Sequence, residues 1–158
     1  MKARKKDVTS CSTNKALPIW EKIWKAKSAP KILTFGWKAL HDSIPVQANL
    51  IKRQLCAEGR CQMCGEEEET VMHALVKCPD AAMIWRTSPL RVDTSVVVER
   101  KLMEWCLVLQ KDYKEDLWWS LFWNFFWGIW LKRNAWIFNQ RKITIMEVIN
   151  NAAKFVSE

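Results

Sequence analysis

Four residues constrain this chain more than any others: Cys61, Cys64, His73 and Cys78, in the order Cys-x2-Cys-x8-His-x4-Cys. A Cys-x2-Cys pair on a tight turn presents two thiolates to one point, and Gly65 directly after it relieves the turn. His73 and Cys78 then bracket a short helical stretch and close a tetrahedron. Three thiolates and one imidazole form a closed, structural zinc set with no position left open for water. Such an ion stands in for a missing local core, so its binding is folding free energy for the segment. The competing reading makes these residues buried free cysteines and a surface histidine. It leaves the order of four ligands to coincidence. Cys56, five residues before Cys61, is the nearest false ligand. Cys11 and Cys106 read as a tail thiol and a core thiol.

No apolar run follows the basic start Met1–Lys6, so no secretory signal is expected. Outside an oxidising compartment, clustered cysteine reads as metal binding rather than disulfide. The net charge of +8 is uneven. Residues 1–60 carry 13 Lys and Arg against 4 Asp and Glu, while residues 61–78 carry Lys77 against Glu66, Glu67, Glu68 and Glu69. A basic first third suggests an anionic partner: nucleic acid, an anionic membrane or an acidic protein. An intracellular location in nucleus or cytoplasm is expected. The basic start permits a mitochondrial alternative, although transit peptides favour Arg and here Lys dominates.

Gly and Pro number only 4 and 5, and the chain is rich in Leu, Ala, Lys, Glu and Trp. That favours a mainly α fold: short helices around a Cys3His zinc knuckle, then a C-terminal helical bundle with a Trp-rich central helix. Three segments are expected: a basic disordered tail at 1–16, a helical zinc-binding domain at 17–90 and a helical Trp-rich region at 91–158. Within them, Trp20 and Trp24 share one helical face, and a short buried helix covers 31–41. Pro45 suits a first helical position, with Val46, Leu50 and Ile51 facing inward. Residues 95–111 read as an amphipathic helix on Val98, Leu102, Trp105 and Leu109. Thr144 and Glu147 form a capping box for a last helix. The only strand pattern expected is a two-stranded turn at the cysteines.

Residues 117–131 read LWWSLFWNFFWGIWL, with five Trp and no charge. A membrane-spanning helix needs about 20 apolar residues, so no transmembrane span is expected. A helix apolar all round is buried in a core or a membrane. The plain reading is a central core helix. The sharper reading makes Trp119, Trp123, Trp127 and Trp130 a partner surface, for a protein, a second copy or interfacial membrane contact.

Residues 20–85 resemble the reverse-transcriptase zinc-binding domain of plant non-LTR, LINE-type retrotransposons. The matching pieces are WEKIWKAKSAPKILTFGWKALHDSIPVQANLIKRQ and CQMCGEEEETVMHALVKCPDAAMIW, with WGIWLKRNAWIFNQR further on. The resemblance implies that Cys61, Cys64, His73 and Cys78 ligate Zn2+. It also implies association with a reverse transcriptase and binding of nucleic acid. No Asp-Asp dipeptide occurs, and nothing like a ribonuclease H carboxylate set follows the cysteines. The chain therefore reads as a stand-alone retroelement fragment without polymerase or ribonuclease H domains, and as no enzyme.

For nucleic acid, Lys31, Lys38, Lys52, Arg53 and Arg60 are the candidate cations. The acidic loop Glu66–Glu69 would repel phosphate, so binding is expected on the flanking helices. The alternative function is a protein-interaction or membrane-active factor, such as a selfish or cytotoxic element at mitochondria, using the Trp-rich helix with zinc purely structural. His41-Asp42 is not a catalytic pair, because sequence neighbours do not face each other on a helix.

Overall fold

The computed structural model describes residues 19–157, with side chains through 154; the expected tail, Cys11 and the Val156 side chain lie outside them. Residues 19–24 are helical, followed by α1 (Pro30–Leu40), α2 (Gln47–Lys52), a π-helical turn (His73–Lys77) and α3 (Pro79–Thr87). A 3-10 turn (Thr94–Val96) then leads into α4 (Leu102–Asp112), α5 (Asp116–Asn139) and α6 (Ile145–Ser157). Among the described residues the one β contact is an antiparallel bridge between Arg60 and Glu68.

Local chemistry explains most helix ends. Pro30 and Pro79 open α1 and α3, where a missing N–H costs nothing. At α6, Glu147 N–H donates to Thr144 Oγ1 at 3.1 Å and Thr144 N–H donates to Glu147 Oε2 at 2.8 Å, completing the expected capping box. Gln140 ends α5 in the left-handed region at φ 49°, and the N–H groups of Gln140 and Arg141 return to Trp136 O and Ala135 O. Two boundaries differ from expectation. Helix α2 begins at Gln47 rather than Pro45, and α4 begins at Leu102, leaving Val98 81% exposed outside it. Val98 matched the helical period, but the segment from 97 to 101 is irregular and bends before α4 begins.

The 24-residue α5 is the axis of the fold. Helices α1, α3 and α6 and the π-helical turn pack around it, and Trp105 of α4 meets Phe122 at 5.7 Å between ring centroids. Two glycines allow the closest approaches. A Cβ on Gly36 of α1 would lie 3.0 Å from the Trp123 ring, and one on Gly128 would lie 2.9 Å from Val148 of α6. One contiguous core draws on both expected helical segments, from Ile19 to Ala152.

This arrangement corrects the expected partner surface. Trp119, Trp123 and Trp130 are buried and Trp127 is half-buried, because neighbouring elements cover α5 on several sides. The core-helix reading is the one that applies. Trp119 Nε1–H donates to Tyr113 O at 2.9 Å, and Trp85 Nε1–H donates to Leu75 O at 2.8 Å. These two buried indoles thus keep their polar edges satisfied, whereas the buried Trp123 Nε1–H has no partner among the described residues. Smaller corrections concern the edges. Trp20 and Trp24 share a face, but Ile19 and Ile23 are the buried pair and Trp24 is exposed. Ile51 of α2 is also exposed, and Leu50 only half-buried.

The polar residues of α5 act as ties. Ser120 Oγ accepts from Lys27 N–H at 2.8 Å, and Asn124 joins the Ser28 hydroxyl to the Ala152 carbonyl of α6. Lys132 reaches Asp80 of α3 at 2.8 Å. Arg133 binds the carboxylate of Glu69, which is 0% exposed, through Nε at 3.0 Å and Nη2 at 2.5 Å. Gln47 N–H donates to the same carboxylate at 2.9 Å. Glu69→Gln would leave the Arg133 charge buried without its counter-ion, which costs about 3–5 kcal/mol. Chemical denaturation should show that loss, and Glu69→Gln with Arg133→Met should recover part of it.

Candidate metal centre

The candidate centre is built on a hairpin and one helical turn. Cys61 N–H donates to Glu67 O at 2.7 Å and Glu69 N–H donates to Gly59 O at 2.8 Å, so the two arms pair around the Cys-x2-Cys turn. Gly65 N–H closes that turn on Cys61 O at 2.8 Å, with Gly65 at φ +76°. After Thr70 the chain turns helical, and Thr70 Oγ1 accepts from His73 N–H at 3.0 Å. The next turn is π-helical: Cys78 N–H donates to His73 O at 2.7 Å, five residues back. A π turn carries one residue more than an α turn. It therefore returns Cys78 close to His73 across a four-residue gap.

These elements bring together the side chains expected from the sequence. The sulfurs of Cys61, Cys64 and Cys78 and a ring nitrogen of His73 all lie within 4.8 Å of one another. Cys61 and Cys78 sulfurs are 4.0 Å apart, and Cys64 Sγ lies 3.3 Å from His73 Nε2. Tetrahedral zinc, at about 2.3 Å from sulfur and 2.0 Å from nitrogen, would set these separations at roughly 3.8 Å and 3.5 Å. The donor set therefore fits a soft, tetrahedral divalent ion. Cys61, Cys78 and His73 are buried and Cys64 is half-buried, so the cluster is largely closed to solvent. Cys56 stays outside it, its thiol directed to the carbonyls of Gln47 and Glu58. Cys106 is fully buried in the core, where desolvation pushes its thiol up.

The electrostatics favour thiolate at Cys61. A hydrogen bond from Cys78 holds the Cys61 thiol far below its ordinary range, against desolvation, with help from His73 and the N–H groups of Cys64 and Met63. The same bond keeps the Cys78 proton in place, and burial adds to that effect. Cys78 also receives the N–H of Asp80 at the start of α3. His73 is raised, first by its hydrogen bond to Cys61. Backbone donors to sulfur orient the ligands and stabilise their charge once a cation replaces the shared protons.

The expected cations separate in space. Lys31 and Lys38 project from α1 into a groove beside α5. Lys52 and Arg53 are exposed at the end of α2, and Arg60 lies on the hairpin near Glu58 at 3.8 Å. Glu66, Glu67 and Glu68 are exposed as expected, but Glu69 is buried and bound to Arg133. Sequence reasoning missed that pair. Its one signal was Lys132-Arg133 interrupting an otherwise apolar helix.

A small mainly helical domain organised by a Cys3His cluster able to hold a metal is the class that this fold and site define. The family described as zinc-binding in reverse transcriptase matches residues 7–85, and the chain belongs to that family. A protein of Arabidopsis thaliana, described as a candidate ribonuclease H protein, is 29% identical over 101 residues, covering 62% of this chain and 16% of the relative. The chain thus spans a small part of that relative's length. No solved structure matches the chain significantly.

Gly65 permits a direct test of the turn. A Cβ there meets nothing within 4 Å, so the cost of Gly65→Ala is the left-handed backbone alone. Thermal unfolding should show a loss of about 1 kcal/mol.

Proposed function

We propose that this chain is a non-catalytic, zinc-stapled domain of retrotransposon origin that binds nucleic acid. The observation that carries the reading is the closed donor set. Cys61, Cys64, His73 and Cys78 converge on one point and together fill a tetrahedral shell, which suits a structural ion. The ion would hold the hairpin against the π-helical turn, and so present the flanking helices in a fixed relation.

The nucleic-acid part rests on charge. The surplus of cations falls in the first 60 residues, and Lys31, Lys38, Lys52 and Arg53 are all exposed. No described ion pair engages any of these four side chains. Phosphate would release counter-ions from such a surface. The alternative use of the Trp-rich helix loses its support, since the indoles that it needs are in the core. No described helix is long and apolar enough to cross a membrane. The same reading places the protein inside the cell, in the nucleus or cytoplasm. The ribonuclease H activity in the relative's description is not carried over to this chain.

Two measurements test it. The purified chain should contain one equivalent of zinc and melt when chelated; Cys64→Ser or His73→Ala should lose the ion, whereas Cys56→Ser should keep it. Affinity for single-stranded RNA or DNA should fall roughly tenfold or more from low to moderate salt. An affinity that ignores salt, or no binding at all, would contradict the nucleic-acid reading.

A further inference from the structure

The groove between α1 and α5 has a volume of about 670 Å³, and its lining combines features that the metal centre does not use. Lys31 and Lys38 stand on its α1 side, and Trp127 and Phe138 on its α5 side. No Asp or Glu lines it. Lys31 Nζ already sits 5.9 Å from the centre of the Trp127 ring, so a cation and an aromatic face are presented together. Phe138 is 74% exposed, the most exposed aromatic ring among the described residues. Gln47 also lines the groove and is 8% exposed, its main-chain N–H held by Glu69.

We infer that this groove takes a short single-stranded stretch of nucleic acid, with phosphates at Lys31 and Lys38 and unpaired bases against Phe138 and the exposed part of Trp127. The inference rests on the nucleic-acid reading and adds where and in what form the ligand binds. The physical case for a single strand is specific. Flat rings bind base faces, and a duplex hides those faces in its own stack, whereas a single strand offers them. From Trp127 to Phe138 the helix advances roughly 16 Å, about half a duplex turn, which suits a few nucleotides. An acidic peptide would satisfy the lysines but offers no flat ring to stack on Phe138. The acidic face of the hairpin, at Glu66–Glu68, lies outside the groove lining and would not oppose phosphate there.

The test uses fluorescence anisotropy of the zinc-loaded full chain with short labelled polyuridine, beside a duplex of equal length. Phe138 is exposed, so Phe138→Ala should fold and melt like wild type. Its affinity for polyuridine should drop about tenfold, the usual value of one stacked base. Lys31→Ala/Lys38→Ala should lower the salt slope by roughly 1.4, about 0.7 for each phosphate no longer neutralised. Wild-type binding that is insensitive to Phe138→Ala and to the Lys31/Lys38 change would overturn the groove while leaving the broader reading intact. Equal affinity for duplex, or displacement of polyuridine by polyglutamate at matched charge, would also overturn it. Wild type that binds neither strand form would remove both readings.

Discussion

The buried pair of Glu69 and Arg133 is the contact on which the arrangement of the rest depends. Glu69 ends the metal-bearing hairpin and Arg133 lies well along α5, 64 residues later. Taking both charges out of water is costly, and the pair persists only because its geometry is bidentate and its remaining lone pairs are used. Gln47 N–H supplies one of those bonds, so α2 is drawn into the same junction. Arg133 also lies over the Trp130 ring at 4.7 Å. One ionic contact thus registers the hairpin, α2 and the aromatic axis against each other. Apolar packing alone specifies position less sharply, since a ring can slide where a forked guanidinium cannot.

The metal cluster and the aromatic helix solve the same problem at two scales. The hairpin around the cysteines is too small to bury a core, and a cluster of four ligands substitutes for one. Helix α5 has the opposite surplus: Trp119, Phe122, Trp123, Phe125 and Phe126 are all 0% exposed and need partners on every side. Glycines at 36 and 128 let α1 and α6 come close enough to supply them. Lys132 and Arg133 then reach back to Asp80, two residues past the last ligand, and to Glu69, between Cys64 and His73. The ligand-bearing segment is therefore fastened to α5 at two points.

That division bears on the acidic loop. Along the chain, Glu66–Glu69 is one block of negative charge next to the ligands. In space it splits. Three carboxylates face solvent and the fourth is neutralised within the core. Lys31 and Lys38 of α1 line a groove without acids, so their field is not cancelled locally.

Much was legible without coordinates. The order and spacing of Cys61, Cys64, His73 and Cys78 determined the ligand cluster, because only a few residue types bind a soft ion and their local turns are short-range. Periodicity and capping residues placed α1 and the start of α6 to within a residue or two, since a proline at N1 or a Thr–Glu box acts within its own turn. Tertiary structure alone decided which faces of those helices are inside. Trp24 and Val98 matched apolar periods yet are exposed, and the successive turns of indole and phenyl rings in α5 are covered only because distant elements fold over them. It alone decided that Glu69 leaves the acidic loop for Arg133, a pairing across 64 residues that no local pattern encodes. Burial is a property of what arrives from elsewhere in the chain, and a sequence window holds only what is near.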